Sequence, residues 1–489
     1  MKLNYRPEID GLRAIVVFAV ILYHAEITLF GYNFFKGGYI GVDVFFVISG
    51  YLITSFILKE LETSGRFSFL NFYERRARRI LPALFTVMLV FLPFAWIHLL
   101  PADFINFSKS ILYSIGFTSN LFFWREGLQY GAETGLSIPF LHTWSLSVEE
   151  QFYIFFPIAL ILCIKFFKQY LLIIMFVGIL ISLQLADWGS RNHPTITFYI
   201  LPTRMWELLA GSFLAKLELN YGRTNYKILN HTLPTLGLLL IIHSIVFFDE
   251  NTFHPSFYTV SPIIGTMLII WFSNVDEFFY KFASSKIFVG LGLISYSLYL
   301  WHYPIFAFAK INPLPQSKIF IGALVIGLSI ISYFLIEKPF RNRKKTSFKS
   351  FIIFIFSILI LLILINSLII KNKGFVKRIP EILQENIKNS QYRAINQNGL
   401  HCHDRIGDAG FCTFNDQAKN GDIYLLGDSI TDSLLQDIIK KTKELDFKLI
   451  HMSYSGNLYL PNFVRVNKKT NKAETTEAAH MFREKAILS

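Results

Sequence analysis

Apolar residues are gathered along the chain into twelve long stretches that are separated by short polar segments. About 20 consecutive apolar residues match the roughly 30 Å hydrocarbon core of a bilayer. The stretches cover about 9–29, 38–58, 80–100, 107–124, 147–166, 170–187, 197–217, 233–248, 257–273, 287–309, 317–337 and 351–370. This pattern predicts an all-α polytopic membrane bundle.

Composition excludes an ordinary soluble protein. Of the 489 residues, 53% are apolar and only 17% are charged, whereas soluble globular chains carry about 25% charged residues. The 51 phenylalanines suit helices that face lipid. The net charge of +13 does not indicate a nucleic-acid partner, because the lysines and arginines lie in short loops beside the apolar stretches, as in membrane proteins.

The distribution of basic loops decides how many stretches cross. If the N-terminus is cytoplasmic and every stretch crosses, the loops around Lys216 and Arg223 lie outside, against the positive-inside rule. Treating 107–124, which contains Lys109 and several serines, as re-entrant or interfacial returns those loops to the cytoplasm. We therefore predict eleven crossings, ten helices and one linking helix, with one further re-entrant or interfacial segment.

The same pattern divides the chain into regions. Residues 374–420 are polar and rich in Asn and Gln, which is typical of a linker. Cys402 and Cys412 lie in this linker and could pair outside the cytoplasm or remain reduced, while Cys163 is expected to pack within a helix. The predicted regions are a membrane domain at 1–345, an additional transmembrane helix at 346–373, an extracytoplasmic linker at 374–420 and a small module at 421–489.

Polar residues within apolar stretches are costly and therefore informative. Arg13 and His24 are eleven residues apart, which on a helix places them within roughly 20° of the same face and about 16 Å apart along the axis. They could share an inward-facing stripe. The alternative is that Arg13 snorkels to the headgroups and His24 is interfacial.

Four arginines, Arg75, Arg76, Arg78 and Arg79, lie within five residues before the third stretch. Guanidinium groups bind phosphate through paired hydrogen bonds, so the cluster predicts an anion site. A positive-inside anchor or a lipid headgroup contact explains the charge equally well.

The segment from His142 to Tyr153 combines polar groups with the start of an apolar stretch. Ser147 and Glu150 fit a capping box at a helix start. The segment also places His142 near Glu149 and Glu150, where a general base could deprotonate a hydroxyl. Further candidates are Arg204, Glu207, His302 and Glu337, and no spacing signature supports a metal or haem site.

Several of these motifs together resemble the acyltransferase-3 family over about residues 1–345. They are Asp10-Gly11-Leu12-Arg13-Ala14 with His24, Gly41-Val42-Asp43-Val44-Phe45-Phe46, the arginine cluster before Pro82, His142-Thr143-Trp144-Ser145 with Glu149, and Ser295-Tyr296-Ser297-Leu298-Tyr299-Leu300-Trp301-His302. The chain is similar to the branch in which an extra helix and an extracytoplasmic SGNH domain follow. That branch includes bacterial O-acetyltransferases of lipopolysaccharide O-antigen and peptidoglycan.

The resemblance implies transfer of an acyl group, usually acetyl, from cytoplasmic acetyl-CoA across the bacterial inner membrane to a cell-surface glycan. It implies that Arg13 and His24 form an essential intramembrane pair, with Glu149 and His142 as further catalytic candidates. The R-x-x-R motif expected near the phosphates of coenzyme A corresponds to Arg75 and Arg78 or to Arg76 and Arg79. The implied partners are membrane lipids and the glycan acceptor, without a metal.

The tail carries a weaker resemblance to SGNH hydrolases. A predicted buried strand at 422–426 leads into Gly427-Asp428-Ser429, which makes Ser429 the candidate nucleophile at a strand-to-helix turn. A second predicted strand, 447–452, leads to Gly456, whose N–H is a candidate for an oxyanion hole.

The tail also departs from that family. No aspartate follows Asp446, so the expected Asp-x-x-His pair cannot be assigned. About 70 residues are few for an α/β domain, and we therefore predict a partial α/β SGNH-type module.

A second class of function remains open. In a transporter or flippase, Arg13, His24 and Glu207 would line a substrate or proton path. Transporters commonly contain internal repeats, and the two halves of this sequence show no convincing repeat.

Overall fold

A computed structural model describes residues 5–28, 31–127, 138–224, 226–311, 317–381, 383–384, 412–427 and 429–453. The chain divides into two compact units, Met1–Gly374 and Phe375–Ser489.

The described part of the first unit is helical. Its helices are α1 Pro7–His24, α2 Gly41–Ser64, α3 Phe69–His98, α4 Pro101–Ile115, α5 Ser119–Arg125, α6 Thr143–Phe167, α7 Leu171–Asn192, α8 Pro194–Tyr199, α9 Leu201–Tyr221, α10 Lys227–Phe247, α11 Val260–Phe272, α12 Phe278–Ala283, α13 Lys286–Leu293, α14 Ser295–Ile311, α15 Lys318–Ser332, α16 Lys338–Arg341 and α17 Phe348–Lys371. A π-helical turn, Tyr333–Glu337, joins α15 to α16.

Six helical stretches in the described residues are long and apolar enough to cross a membrane. They are Gly38–Ser64, Phe69–His98, Thr143–Asn192, Lys227–Phe247, Lys318–Arg341 and Phe348–Lys371. Other predicted crossings are helical but more polar or shorter, such as α1, whose 18 residues include Glu8, Asp10 and Arg13. The helical membrane class is therefore confirmed, while the count of eleven crossings stays a prediction.

The stretch 107–124, expected to be re-entrant or interfacial, is not one continuous helix. Helix α4 has 15 residues and α5 has seven. Between them Phe117 has a positive φ of 51°, which stops helix propagation. Neither piece reaches the length of about 20 residues that a crossing requires.

Small residues allow α2 and α9 to pack backbone against backbone. A Cβ atom on Gly50 would lie 1.9 Å from the Leu208 carbonyl oxygen, and one on Gly211 would lie 1.9 Å from that of Val47. Only glycine fits at both positions, as in other close contacts between membrane helices. This contact fixes α2, which carries one wall of the candidate site.

Helix α17 packs against α4 and α3, and only 22% of its most apolar window is buried within the protein. Most of its surface faces outward. In a bilayer that surface would face lipid.

The tail unit contains a small α/β arrangement. Strands β1 Cys412–Phe414, β2 Asp422–Gly427 and β3 Lys448–Ser453 form a sheet of order β1-β3-β2, with α18, Ser429–Glu444, between β2 and β3. Strand β3 is antiparallel to β1 and parallel to β2. The core consists of Cys412, Leu435 and Leu449.

The strand and helix predicted in the tail are present, since β2 ends at Gly427 and α18 begins at Ser429. The predicted burial of β2 is wrong: Ile423 is 36% and Tyr424 49% exposed, because β2 lies at the edge of the described sheet. Cys412 is disulfide-bonded, whereas Cys402 and Gly456 lie outside the described residues.

Candidate functional site

A cavity of about 90 Å³ lies inside the first unit and is lined by five helices, α1, α2, α3, α6 and α14. We call it the inner cavity. Its polar lining consists of Arg13 from α1, Ser49 from α2, Arg76 and Arg79 from α3, Ser145, Glu149 and Tyr153 from α6, and Ser295, Tyr296 and Tyr299 from α14.

A larger cavity of about 530 Å³ lies at the N-terminal end of α1. We call it the arginine vestibule. Its charged lining consists of Arg6, Asp10, Arg13, Arg79, Glu337 and Arg341. Four guanidinium groups face two carboxylates, so the vestibule has an excess of positive charge.

The arginine vestibule and the inner cavity adjoin. Arg13, Leu52, Arg79 and Tyr296 line both. Arg13 also forms an ion pair with Asp10, at 3.5 Å between Nη1 and Oδ1. A long ligand with anionic groups could therefore occupy the vestibule and extend past Arg13 and Arg79.

Tyr5 stands at the edge of the vestibule, before α1 begins. Burial, followed by the charge of Asp10, raises the pKa of Tyr5 to about 12. Its hydroxyl therefore stays protonated near neutral pH and donates to Asp10 Oδ2 at 3.0 Å.

The four clustered arginines have different surroundings in the structure. Arg76 and Arg79, three residues apart on α3, line the inner cavity. Arg75 is exposed and lies over the ring of Phe56 at 4.9 Å. Of the two R-x-x-R assignments, the geometry therefore favours Arg76 and Arg79 for contact with a ligand.

Arg78 is engaged in fastening α3 to the segment before α17. Its Nε donates to Glu74 at 2.7 Å, and its Nη1 donates to the carbonyl oxygens of Phe340 at 3.1 Å and Thr346 at 3.0 Å. Its guanidinium lies 4.7 Å from the centre of the Phe351 ring. Arg78 is therefore buried, and its guanidinium makes structural contacts within the protein.

Replacing Arg78 by alanine should therefore lower the free energy of unfolding by about 2–4 kcal/mol, since it leaves the carbonyls of Phe340 and Thr346 without their charged donor. Glu74 loses one of its two arginine partners and keeps Arg343, at 2.7 Å. Thermal unfolding of the purified protein in detergent measures this. Arg75→Ala on the same helix is the matched control and should unfold almost as the wild type does. Equal losses in both variants would show that Arg78 does not carry this connection.

Glu149 is held at the wall of the inner cavity. It accepts hydrogen bonds from the hydroxyls of Ser49 and Tyr153. His142, two turns earlier, packs elsewhere, and Glu150 is buried and lines neither cavity. The structure therefore does not bring His142 together with the two glutamates.

The predicted capping box at Ser147 is wrong. Helix α6 begins at Thr143, so Ser147 lies in its second turn. There the Ser147 hydroxyl hydrogen-bonds the Ser119 hydroxyl at 2.7 Å and accepts from the Ser119 N–H. The polar side chain of Ser147 is therefore explained by its hydrogen bonds to Ser119 on α5, and not by a role at the start of α6.

Three histidines meet beyond the inner cavity. His302 Nε2 lies 3.2 Å from His24 Nδ1, and the rings of His142 and His302 are 5.7 Å apart. His142 also stacks on Tyr303 at 5.2 Å. We call His24, His142 and His302 the histidine cluster.

The histidine cluster lies between two spaces. On one side, Tyr299 lines the inner cavity and its hydroxyl donates to the His142 carbonyl oxygen at 2.9 Å. On the other, His24 and Tyr303 line a small pocket of about 30 Å³ with Glu26, Phe306 and Lys310. We call this the distal pocket. Arg13 and His24 therefore line different spaces: Arg13 lines the vestibule and the inner cavity, and His24 lines the distal pocket.

Arg204 and Glu207, noted as further candidates, belong to a closed ion cluster. Arg204 pairs with Asp43 at 2.8 Å and with Glu207 at 2.9 Å, and its Nη1 is 3.0 Å from His254 Nε2. None of the four residues lines the vestibule, the inner cavity or the distal pocket. Their contacts indicate a role in holding α2 to α9.

Sequence reasoning missed Ser49, Tyr153, Tyr299 and Arg6 as lining residues. Tyr296 and Tyr299 are three residues apart and so share a helix face, which is the signal that could have identified them. Within the described residues, no group of three or more His, Cys, Asp or Glu side chains is arranged to hold a metal.

Comparison with known proteins places these features in a family. The family model described as Acyltransferase domain matches residues 6–312. This range contains the lining of the vestibule and the inner cavity and the histidine cluster, apart from Tyr5, Glu337 and Arg341 of the vestibule. No solved structure matches the chain.

Two named relatives are both O-acetyltransferases. Peptidoglycan O-acetyltransferase OatA of Listeria monocytogenes is 32% identical over 360 residues, which are 70% of this chain and 56% of that protein. O-acetyltransferase OatA of Staphylococcus aureus is 31% identical over 397 residues, which are 76% of this chain and 64% of that protein.

A third relative, from Staphylococcus aureus strain MRSA252, has a name that marks its O-acetyltransferase activity as inferred. It is 32% identical over 405 residues, covering 78% of this chain and 66% of that protein. The chain thus spans less than two thirds of the length of these relatives, and the match of the family model does not extend to the tail. Because that model covers more than half of the chain, the chain belongs to the acyltransferase-3 family.

Proposed function

We propose that this protein transfers an acetyl group from cytoplasmic acetyl-CoA, across the membrane, to hydroxyl groups of a cell-surface polysaccharide. Family membership supports acyl transfer. Of the two acceptors that the sequence suggests, lipopolysaccharide O-antigen and peptidoglycan, the name of the Listeria relative supports peptidoglycan.

The observation that carries the proposal is the junction of the arginine vestibule with the inner cavity. Coenzyme A has phosphate groups at one end and its thioester at the other. Arginine forks bind phosphates, so the vestibule suits the phosphate end, with Arg6, Arg79 and Arg341 as its candidate partners. The thioester would then extend past Arg13 toward Glu149 and Tyr299.

The chemistry assigned to the far end of this route is general-base catalysis. A base removes the proton of the acceptor hydroxyl while its oxygen attacks the acyl carbon, the carbon–sulfur bond breaks, and the coenzyme A thiolate takes up a proton. His24 is the proposed base because it lines the distal pocket, where the acceptor hydroxyl would enter. It is connected to the inner cavity through His302, whose Nε2 lies 3.2 Å from His24 Nδ1 and whose ring is 5.4 Å from that of Tyr299.

The proposed orientation has the N-terminus in the cytoplasm and the tail outside, in a multi-pass arrangement of the bacterial inner membrane. It rests on the positive-inside distribution of lysine and arginine. Ser429 is the proposed nucleophile of the tail, supported by the Gly-Asp-Ser motif and by its position as the first residue of α18 after β2.

The transporter alternative is not favoured. The family match is to an acyltransferase domain, and Glu207, which that alternative needs in a path, is enclosed by the ion cluster with Arg204 and Asp43.

Transfer of radiolabel from acetyl-CoA to peptidoglycan fragments by the protein in liposomes tests the proposal. Arg79→Gln should raise the KM for acetyl-CoA by roughly 10–100-fold, since it loses a charge-assisted hydrogen bond to phosphate worth about 1.5–3 kcal/mol. Arg75→Gln, on the same helix but facing away from the cavity, is the control and should leave KM unchanged.

Two results would contradict the proposal. One is a wild-type protein that moves glycan across the membrane without consuming acetyl-CoA. The other is an equal rise in KM for Arg75→Gln and Arg79→Gln, which would mean that charge near the membrane, and not the cavity, governs donor binding.

A further inference from the structure

Ser295 is a buried serine of the inner cavity whose hydroxyl group has no assigned role. It is 1% exposed and lines the cavity as the first residue of α14. Among the described residues, none forms a hydrogen bond with its Oγ. A buried hydroxyl left without a partner costs about 1–3 kcal/mol, so its presence at a cavity wall requires an explanation.

The other hydroxyl groups of the inner-cavity lining have protein partners. These groups belong to Ser49, Ser145, Tyr153, Tyr296 and Tyr299. The Tyr296 hydroxyl, for example, donates to the Ile80 carbonyl oxygen at 3.0 Å. Ser295 differs from them, because both the hydrogen and the lone pairs of its hydroxyl are available to a ligand as far as the described residues are concerned.

Positions along α14 place Ser295 close to the arginine vestibule. Leu293, just before the helix, lines the vestibule, and Tyr296 lines both the vestibule and the inner cavity. Tyr299, one turn on, lines the inner cavity, and Tyr303 lines the distal pocket. At 1.5 Å per residue, Ser295 and Tyr303 are about 12 Å apart along the helix axis. Ser295 therefore lies near the end of the inner cavity that adjoins the vestibule.

The chain just before Ser295 is fixed against α1. A Cβ atom on Gly292 would lie 1.9 Å from the Asp10 carbonyl oxygen, so the two main chains are in direct contact and only glycine fits. Asp10 lies one turn before Arg13 on α1. The position of Ser295 relative to Arg13 is therefore set by the packing of main chain against main chain.

The pantetheine arm of coenzyme A has the chemistry that suits this position. The arm joins the phosphate end of the molecule to the thioester, and it consists of apolar carbon groups interrupted by secondary amides. Much of the inner cavity is apolar, with Val42, Ile53 and Leu146 among its lining residues. An amide buried among such side chains requires a hydrogen-bonding partner. A serine hydroxyl can donate to the amide oxygen or accept from the amide N–H.

We propose that the Ser295 hydroxyl binds a secondary amide of the pantetheine arm of acetyl-CoA and so determines how far the donor extends into the inner cavity. The inference rests on the proposed function, in which the phosphates lie in the vestibule and the thioester extends past Arg13. Ser295 then contacts the donor at a distance from the reacting carbon. Its contribution is to donor binding.

Replacing Ser295 by alanine tests the inference by kinetics. The KM for acetyl-CoA should rise by about 2–10-fold, the loss expected for one hydrogen bond between uncharged groups. The kcat for label transfer should not change, because the amide contact is the same in the ground state and the transition state. The midpoint of thermal unfolding in detergent should stay the same or rise, since the hydroxyl has no partner among the described residues.

Two competing ligands make the test specific to the arm. Adenosine bisphosphate, the nucleotide part of coenzyme A, has no pantetheine arm. Its inhibition constant should be the same for Ser295→Ala and the wild type, whereas that of coenzyme A should rise by the same factor as KM. Equal weakening of both ligands would show that the substitution distorts the vestibule, and it would overturn the inference.

Ser108→Ala is the matched control. Ser108 is also fully buried and its hydroxyl has no partner among the described residues, but it lines none of the vestibule, the inner cavity and the distal pocket. Its KM for acetyl-CoA should be that of the wild type.

Three results would overturn the inference. They are a wild-type KM in Ser295→Ala, an equal rise of KM in Ser108→Ala, and a fall of more than about 3 °C in the unfolding midpoint of Ser295→Ala, which would show that the hydroxyl stabilises the fold. A wild-type protein that does not transfer label from acetyl-CoA at all would instead overturn the proposed function.

Discussion

Replacing His24 by alanine should lower the rate of acyl transfer by about 10²–10⁴-fold, the usual loss when a general base is removed. The loss should appear in kcat, because His24 lines the distal pocket and does not line the arginine vestibule or the inner cavity. Transfer of label from acetyl-CoA to peptidoglycan fragments in liposomes measures the rate. Binding of acetyl-CoA should be unchanged.

His243→Ala is the control for the His24 variant. His243 is a histidine of the same membrane unit, exposed on α10 and in contact with the ring of Phe247 at 5.0 Å. Its replacement should leave the rate as it is. A His24→Ala protein that transfers label at the wild-type rate would remove His24 from the mechanism and require a different base.

Replacing Arg204 by methionine should lower the free energy of unfolding by about 3–5 kcal/mol, the usual result of removing one partner from a buried ion pair. Arg204 is 1% exposed and pairs with Asp43 and Glu207, both fully buried. Its loss leaves two carboxylates in a space enclosed by aromatic rings, including that of Trp144 at 5.3 Å. The midpoint of thermal unfolding in detergent should fall by more than about 5 °C.

Arg191→Met is the matched control for this prediction. Arg191 also pairs with an aspartate, Asp187 at 3.0 Å, and also lies over an aromatic ring, but its side chain is 45% exposed. Solvent compensates for an exposed arginine, so the midpoint should change little. If the triple variant that adds Asp43→Asn and Glu207→Gln does not recover stability relative to Arg204→Met, uncompensated charge is not the cause.

The two predictions separate a catalytic region from a structural one within the same bundle. The vestibule and the inner cavity lie beside Arg13 of α1, and the histidine cluster lies at the last residue of that helix, His24. The ion cluster of Arg204 joins neighbouring helices and lines none of these spaces. In this membrane domain a polar residue either lines a cavity or pairs with another buried charge that holds helices together, and its contacts show which of the two applies.

The arginine cluster shows where sequence reasoning reached its limit. Residue type predicts an anion site, and spacing shows that Arg76 and Arg79 can share a helix face. Spacing applies equally to Arg75 and Arg78. The choice depends on the rotation of α3 against α6 and α14, which is a property of packing that no local pattern contains.

Ser147 and β2 show the same limit in smaller features. Ser147 and Glu150 have the spacing of a capping box. The helix nevertheless begins about one turn earlier, and the Ser147 hydroxyl hydrogen-bonds the Ser119 hydroxyl instead. The apolar run of β2 predicts a strand correctly. It does not show that the strand lies at a sheet edge, where Ile423 and Tyr424 are exposed.

The sequence by itself determined the helical membrane class, the acyltransferase-3 membership and the residue types of the site, because length, hydropathy and motif order are properties of the chain. Only the tertiary structure decided which of these residues meet. It placed Arg79 beside Arg13, separated Arg13 from His24, and brought His302, 278 positions away in sequence, against His24. Contacts between distant segments depend on how the helices pack, and packing is set by the whole bundle at once.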